Sequence, residues 1–195
     1  MEFAVALAAM PGDAEVLFIL ANTQRRQGRW LEATANFEHV FTINPHRPGV
    51  FQPRHYFAAT ATGEREKART RAQAAIVKHN KVPAERWGEF GRVTALALHH
   101  VYAGLPDEAR RLAARALEMR PLKSDAMDGG CTLMEIARGQ VVLGDHDRAL
   151  ALLDQAMSGP NEKSANEISH LEPWSKPLHH GPRFEAARAK AAPRE

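Results

Sequence analysis

Two helices joined by a tight turn are encoded in residues 17–45, which read LFILANTQRRQGRWLEATANFEHVFTINP. The fold of the chain follows from this stretch. One face of the first helix carries side chains at positions i, i+3 and i+7, which are Leu17, Leu20 and Gln24. Gly28 stops this helix, and Pro45 ends the second one, since proline cannot continue a helix. The stretch therefore predicts a helical hairpin.

The core of this hairpin combines small and large side chains. Ala21 and Ala33 are small, so two antiparallel helices can approach each other closely, and Phe37 fills the space between them. An isolated hairpin cannot bury its remaining apolar face. It therefore needs neighbours of the same kind.

The same pattern recurs along the chain. Turn glycines stand at Gly28, Gly63, Gly104 and Gly144, at intervals of about 35, 41 and 40 residues. Five residues after each glycine comes an alanine, at Ala33, Ala68, Ala109 and Ala149. Two further small or apolar positions follow these alanines, at Phe37, Ala72, Ala113 and Leu153 and then at Val40, Ala75, Ala116 and Ala156. The recurrence favours an array of hairpins over an irregular helical bundle.

These residues match the tetratricopeptide-repeat pattern W-x2-L-G-x2-Y…A-x3-F…P. In the first hairpin Leu20, Ala33, Phe37 and Pro45 are the consensus residues, while Leu17, Ala21 and Gln24 replace its Trp, Gly and Tyr. Over most of its length the chain resembles an array of such repeats. The resemblance implies an all-α, right-handed superhelix of about four hairpins, spanning residues 13–160 as one continuous domain.

The segment before this array resembles half a repeat. Phe3, Ala6 and Pro11 precede Phe37, Val40 and Pro45 by about 34 residues, the period of the repeat. Residues 1–12 are therefore interpreted as the second helix of an earlier repeat, and the alternative is a divergent N-terminal capping helix. A half-repeat leaves an apolar face uncovered, which predicts either a longer protein or self-association through this segment.

Residues 161–195 form a tail of different character. The run Glu172-Pro173-Trp174-Ser175-Lys176-Pro177-Leu178…Pro182-Arg183-Phe184 resembles the closing segment of bacterial tetratricopeptide arrays. In that family such arrays often follow a Ser/Thr kinase, nucleotide cyclase or winged-helix regulator domain. Trp174 and Phe184 are expected to cover the exposed end of the last hairpin, which makes this segment a C-terminal capping tail.

Composition narrows the possible functions. The chain has 26 Lys and Arg against 23 Asp and Glu, a formal net charge of +3 that is too small to indicate nucleic-acid binding. The single cysteine, Cys131, excludes an internal disulfide and fits a reducing compartment, so we expect a cytoplasmic protein. No apolar run approaches the ~18 residues of a membrane span.

Catalytic and metal chemistry find little support in the pattern. His99 and His100 are adjacent on a helix and point in different directions, so they cannot bind one metal from one face. His179 and His180 lie in a proline-rich segment with no neighbouring cysteine or carboxylate cluster. The turn glycines are helix stops and do not form a phosphate-binding loop. The sequence predicts no metal, no cofactor and no catalytic residue.

The predicted binding surface is the groove formed by the first helices of the hairpins, which solenoids use as a concave face. Its candidate residues, expected off the core face, are Phe18, Asn22, Arg25, Arg54, Phe57, Thr94, Leu98, Val101, Met134 and Arg138. Aromatic and methionine side chains with interspersed arginines suit a protein or peptide partner that has apolar anchors and acidic groups.

The sequence therefore predicts a non-catalytic scaffold for protein–protein interaction. One alternative is the C-terminal regulatory part of a larger signalling protein whose activity lies upstream. A second alternative, from another functional class, is a basic helical-repeat nucleic-acid binder. Its binding stripe would consist of Arg25, Arg26, Arg54, Arg69 and Arg71.

Overall fold

A computed structural model describes residues 12–44, 56, 59–81, 89–119, 126–158, 173–179 and 181–190. The half-repeat predicted over residues 1–12, apart from Gly12, and the groove residues Arg54 and Phe57 lie outside these residues. The described elements are α1 (Ala14–Arg26), α2 (Trp30–Ile43), α3 (Arg65–Lys81), α4 (Glu89–Ala103), α5 (Pro106–Met119), α6 (Ala126–Val142), α7 (His146–Ser158), a 3₁₀-helix (Pro173–Leu178) and α8 (Pro182–Lys190).

The helices pair as successive hairpins. Helix α1 packs on α2, α4 on α5, and α6 on α7, while α3 packs on α4 and so joins the second hairpin to the third. The first helix of the second hairpin is represented by Tyr56 and residues 59–61, which are helical. The all-α repeat architecture predicted from the glycine and alanine spacing is confirmed.

The four turns share one backbone conformation. Gly28, Gly63, Gly104 and Gly144 have φ angles of 76°, 86°, 77° and 79°, in the left-handed region that favours glycine. After each glycine, the next backbone N–H donates to a carbonyl five residues earlier, as Arg29 does to Gln24 at 2.9 Å and Asp145 does to Gln140 at 2.9 Å. This bond is the mark of the Schellman turn, which satisfies the last carbonyls of a helix.

The alanine after each turn closes the first turn of the second helix of its hairpin. The N–H of Ala33 donates to the carbonyl of Arg29 at 3.0 Å, and that of Ala109 donates to Leu105 at 3.1 Å. All four of these alanines are buried, as are the residues four and seven positions later. Three side-chain positions per repeat therefore face the interior in every hairpin, which confirms the predicted register.

Among the described residues, the buried apolar side chains form three clusters. A first-hairpin cluster includes Phe37 and Val40, a middle cluster includes Tyr56 and Ala72, and the main cluster draws on α4 to α7 and the tail. Trp30 packs against both the first-hairpin and the main clusters. The clusters are thus connected along the array, as expected where each repeat buries its apolar face against its neighbours.

The tail covers the last hairpin. Trp174 and Leu178 from the 3₁₀-helix and Phe184 and Ala187 from α8 are buried in the main cluster with residues of α6 and α7. Surface ion pairs join α8 to α7, between Arg183 and Asp147 at 2.8 Å and between Lys190 and Asp154. The capping tail predicted from Trp174 and Phe184 agrees with this packing.

Substitution by alanine should have effects of opposite sign at a turn glycine and at a glycine inside a helix. At Gly104 an added Cβ would meet only the Arg69 guanidinium, at 3.8–3.9 Å, so Gly104→Ala should cost about 1–2 kcal/mol through its left-handed backbone alone. Gly91 lies inside α4 with nothing within 4 Å, so Gly91→Ala should stabilise by about 0.5–1 kcal/mol. Urea unfolding of both variants measures the two effects. Equal effects of the same sign would contradict the turn geometry.

Candidate partner-binding surface

The structure places the predicted groove residues on α1, α4 and α6. Two of them, Asn22 and Thr94, are partly exposed. The other six that the structure describes are buried: Phe18, Arg25, Leu98, Val101, Met134 and Arg138. The expectation that these six lie off the core face is wrong, because the first helix of a hairpin packs both on its own partner and on neighbouring repeats.

On α1 the predicted residues belong to the interior of the first hairpin. The rings of Phe18 and Phe37 meet edge to face with their centroids 5.8 Å apart. The Asn22 side-chain amide donates to the Phe18 carbonyl at 2.9 Å, which fixes its orientation along the helix. Arg25 is only 3% exposed. Asn22 is therefore the predicted groove residue of α1 that keeps an accessible side chain.

On α4 and α6 the predicted residues form a helix–helix contact. A Cβ at Gly139 would lie 3.2 Å from Cγ2 of Val101 and 3.5 Å from Cδ2 of Leu98, so the glycine allows α6 to approach α4 closely. The Thr94 hydroxyl donates to the Phe90 carbonyl of its own helix at 3.0 Å. The structure thus brings Leu98 and Val101 together with α6 as packing residues.

Arg138 connects the array to the capping tail. Its guanidinium pairs with Glu135 at 2.6 Å and lies 5.5 Å from the centre of the Trp174 ring. A guanidinium over an indole is attracted by the ring quadrupole, and the attraction grows when both groups are removed from water. Arg138 was predicted to select the partner, but in this structure it stabilises the packing of the cap.

Positive charge is concentrated on α3. This helix carries one acidic residue, Glu66, and six basic ones: Arg65, Lys67, Arg69, Arg71, Lys78 and Lys81. Glu38 of α2 pairs with Lys67 and, at 3.4 Å, with Arg71. The hydrogen bond to Glu38 raises the pKa of Lys67. Two of the cations of α3 are thus used in joining the second hairpin to the first.

Large exposed apolar side chains are distributed over several helices. Leu31 is the most exposed of them at 76%, followed by Val77, Leu105, Val142, Ile19 and Ile43. Single exposed apolar residues are normal on a folded protein and do not define a site by themselves. The periodicity of the sequence did not identify these six side chains as exposed.

One pair in the tail has the composition of a nucleophile and its base. The Ser175 hydroxyl lies 2.7 Å from Nε2 of His179. Ser175 is fully buried, however, and the His179 ring packs against Phe184 with centroids 5.0 Å apart. A substrate cannot reach the hydroxyl in this packing, so the pair stabilises the cap.

The described residues contain no group of three or more His, Cys, Asp or Glu side chains that could hold a metal ion. Within the same residues, none of the helices has the length and apolar character needed to cross a membrane.

Comparison with known proteins identifies the fold. No protein-family model and no curated protein matches the chain. Among solved structures, a tetratricopeptide repeat protein from Parabacteroides merdae is similar with a TM-score of 0.53 and 14% sequence identity, over 97% of this chain and 68% of that one. With its four Schellman turns and its register of buried alanines, the chain has a tetratricopeptide-repeat fold.

Proposed function

We propose that this protein is a non-catalytic scaffold that binds a protein or peptide partner along its hairpins. The observation that carries the proposal is the tetratricopeptide-repeat fold itself, whose stacked hairpins create an extended surface suited to chain-like partners. Burial of the Ser175 hydroxyl is in keeping with a non-catalytic role.

The proposed contact surface is the groove side of the first helices. Asn22 and Thr94 keep partly exposed side chains there. Phe57 and Arg54 are assigned to the same surface from the sequence alone. The six buried groove residues pack beneath this surface, so they determine its shape. Phe57 is the apolar anchor in this proposal, and Arg54 selects acidic groups on the partner.

A variant pair tests the anchor. A partner recovered by pull-down with the wild-type chain should bind Phe57→Ala at least about thirtyfold more weakly, because truncating a central anchor typically costs 2 kcal/mol or more. Titration calorimetry measures the affinity, and circular dichroism establishes that the variant is folded. Lys190→Ala is the matched control, since Lys190 lies on α8 and pairs with Asp154.

The salt dependence of the same complex separates this proposal from nucleic-acid binding. A groove with few charges predicts only a modest loss of affinity between 50 and 200 mM salt, whereas contacts to several phosphates predict a loss of about 10³-fold or more. Arg25 is buried and Arg71 lies 3.4 Å from Glu38, so two arginines of the predicted nucleic-acid stripe are already engaged. Retention of the partner by Phe57→Ala together with steep salt dependence would contradict the peptide-groove proposal.

A further inference from the structure

Two buried histidines meet where the second hairpin packs on the third. Nε2 of His79 on α3 lies 3.2 Å from Nε2 of His99 on α4, and the ring centroids are 4.8 Å apart. His79 is 3% exposed and His99 is fully buried. The Tyr56 ring covers His99 from the other side, with centroids 5.5 Å apart. The contact is therefore closed to water.

The hydrogen-bond partners of His99 assign the tautomers of the pair. A neutral imidazole has one N–H donor and one acceptor nitrogen, so one of the two Nε2 atoms must donate to the other. Nδ1 of His99 is buried and has no hydrogen-bond partner among the residues that the structure describes. Buried N–H groups without an acceptor are rarer in folded proteins than buried acceptors with an unused lone pair, which favours a lone pair at Nδ1 of His99. His99 thus carries its proton on Nε2 and donates to Nε2 of His79, which carries its own proton on Nδ1.

This arrangement has no place for an additional proton. Two Nε2–H groups cannot face each other at 3.2 Å, so a third proton on the pair would have to occupy Nδ1 of His99. That atom has no acceptor. Uptake of a proton therefore requires either a buried unsatisfied donor or separation of the two rings.

We propose that the His79–His99 contact is an acid-sensitive junction, which holds α3 against α4 while both rings are neutral and releases them when the pair takes up a proton. Hairpins in a solenoid are stabilised by their nearest neighbours, so loss of this contact separates the first two hairpins from the last two and the cap. A partner bound across both halves would then be released on acidification. This pH response depends only on the packing of α3 against α4 and is independent of the partner's identity.

The electrostatic surroundings act in the same direction. Burial is the largest cause that lowers the pKa of His79, to about 4, and Arg92 of α4 and Lys78 of α3 lower it further. Burial also lowers the pKa of His99 well below its usual value, with His79 and His100 adding to the effect. Burial raises the pKa of the Tyr56 hydroxyl, which keeps that neighbour uncharged. The charged groups named here, Arg92, Lys78 and His100, are thus cations or potential cations.

The sign of the pH dependence follows from these shifts. Above about pH 6.5 both histidines are neutral in the folded and in the unfolded chain, so the contact contributes its full stability. As the pH falls from about 6.5 towards 4, the histidines bind protons in the unfolded chain but stay neutral in the folded chain. Each buried histidine then favours unfolding by up to about tenfold per pH unit, until the pH reaches its folded-state pKa.

Urea unfolding at pH 7.5 and 5.5 tests the proposal. For the wild-type chain the unfolding equilibrium constant should rise by about 10- to 100-fold between these pH values. His79→Gln removes one of the two titrating rings and should reduce that rise by at least about threefold. His39→Gln is the control, because His39 is exposed on α2, and it should leave the rise unchanged. A wild-type rise below about threefold, or one that His79→Gln leaves intact, would overturn the proposal.

Two measurements on the wild-type chain keep the test decisive should His79→Gln fail to fold. Nitrogen-15 NMR of the histidine rings at pH 7 should find the proton on Nε2 of His99 and on Nδ1 of His79. Hydrogen exchange at pH 5.5, corrected for its intrinsic pH dependence, should show α3 and α4 losing more protection than α6 and α7. The opposite tautomers, or uniform loss of protection, would contradict the proposal. Tight stabilisation by Zn²⁺ would do so as well, since it would make the two Nε2 atoms metal ligands.

Discussion

Replacing Phe184 with alanine should lower the free energy of unfolding by about 3–5 kcal/mol. The Phe184 ring is fully buried in the main cluster, where the tail meets α6 and α7 and where His179 packs against it. Its removal leaves a cavity beneath the cap that the surrounding helices can fill only in part. Urea unfolding followed by tryptophan fluorescence, to which buried Trp174 contributes, measures the effect.

The neighbouring residue provides the control for this prediction. Arg183 is exposed and pairs with Asp147 at 2.8 Å, and exposed ion pairs contribute about 1 kcal/mol or less. Arg183→Ala should therefore leave stability almost unchanged. If Phe184→Ala were as stable as Arg183→Ala, the tail would be an accessory segment, and the main cluster would not depend on it.

The second large effect is expected at the other end of the array. Phe37 is fully buried between α1 and α2, in edge-to-face contact with Phe18, and belongs to the small first-hairpin cluster. Phe37→Ala should destabilise this hairpin by about 3–5 kcal/mol, because few other large side chains fill its interior. Hydrogen exchange should show that α1 and α2 lose protection before α6 and α7, since repeats are stabilised mainly by their neighbours.

Leu31 is the matched control on the same helix. It is 76% exposed, so Leu31→Ala removes an apolar side chain without opening a cavity and should change stability by less than about 0.5 kcal/mol. If Phe37→Ala and Leu31→Ala changed stability equally, the side of α2 that carries Phe37 would not be the one that faces the interior.

Local chemistry explains why the hairpins could be predicted from sequence. Only glycine adopts the left-handed turn at low cost. The alanine five residues later closes the first turn of the next helix by donating its N–H to the carbonyl of the residue after that glycine. Both requirements involve residues within one turn of each other, so their spacing is visible along the chain. Trp174 and Phe184 of the tail could be assigned to a cap because an array needs its last apolar face covered.

The candidate site was less predictable, because burial on a first helix depends on helices far away in sequence. Periodicity identifies the side of α4 that faces α5, but it does not show that α6 also packs on α4 through Gly139. Leu98 and Val101 were for that reason expected at the surface and are instead buried. Arg138 was expected to select a partner, and its contact with Trp174 joins residues whose distance no local pattern specifies.

The helices, the turns that join them and the register of small residues inside each hairpin thus depend on backbone conformation and on hydrogen bonds between near neighbours, so they are visible in the sequence. The accessible faces, and the hydrogen bond that joins His79 to His99 across 20 residues, become visible only when the hairpins are packed together. Those outcomes depend on how neighbouring hairpins pack, and packing between repeats is set by the volumes of many side chains together.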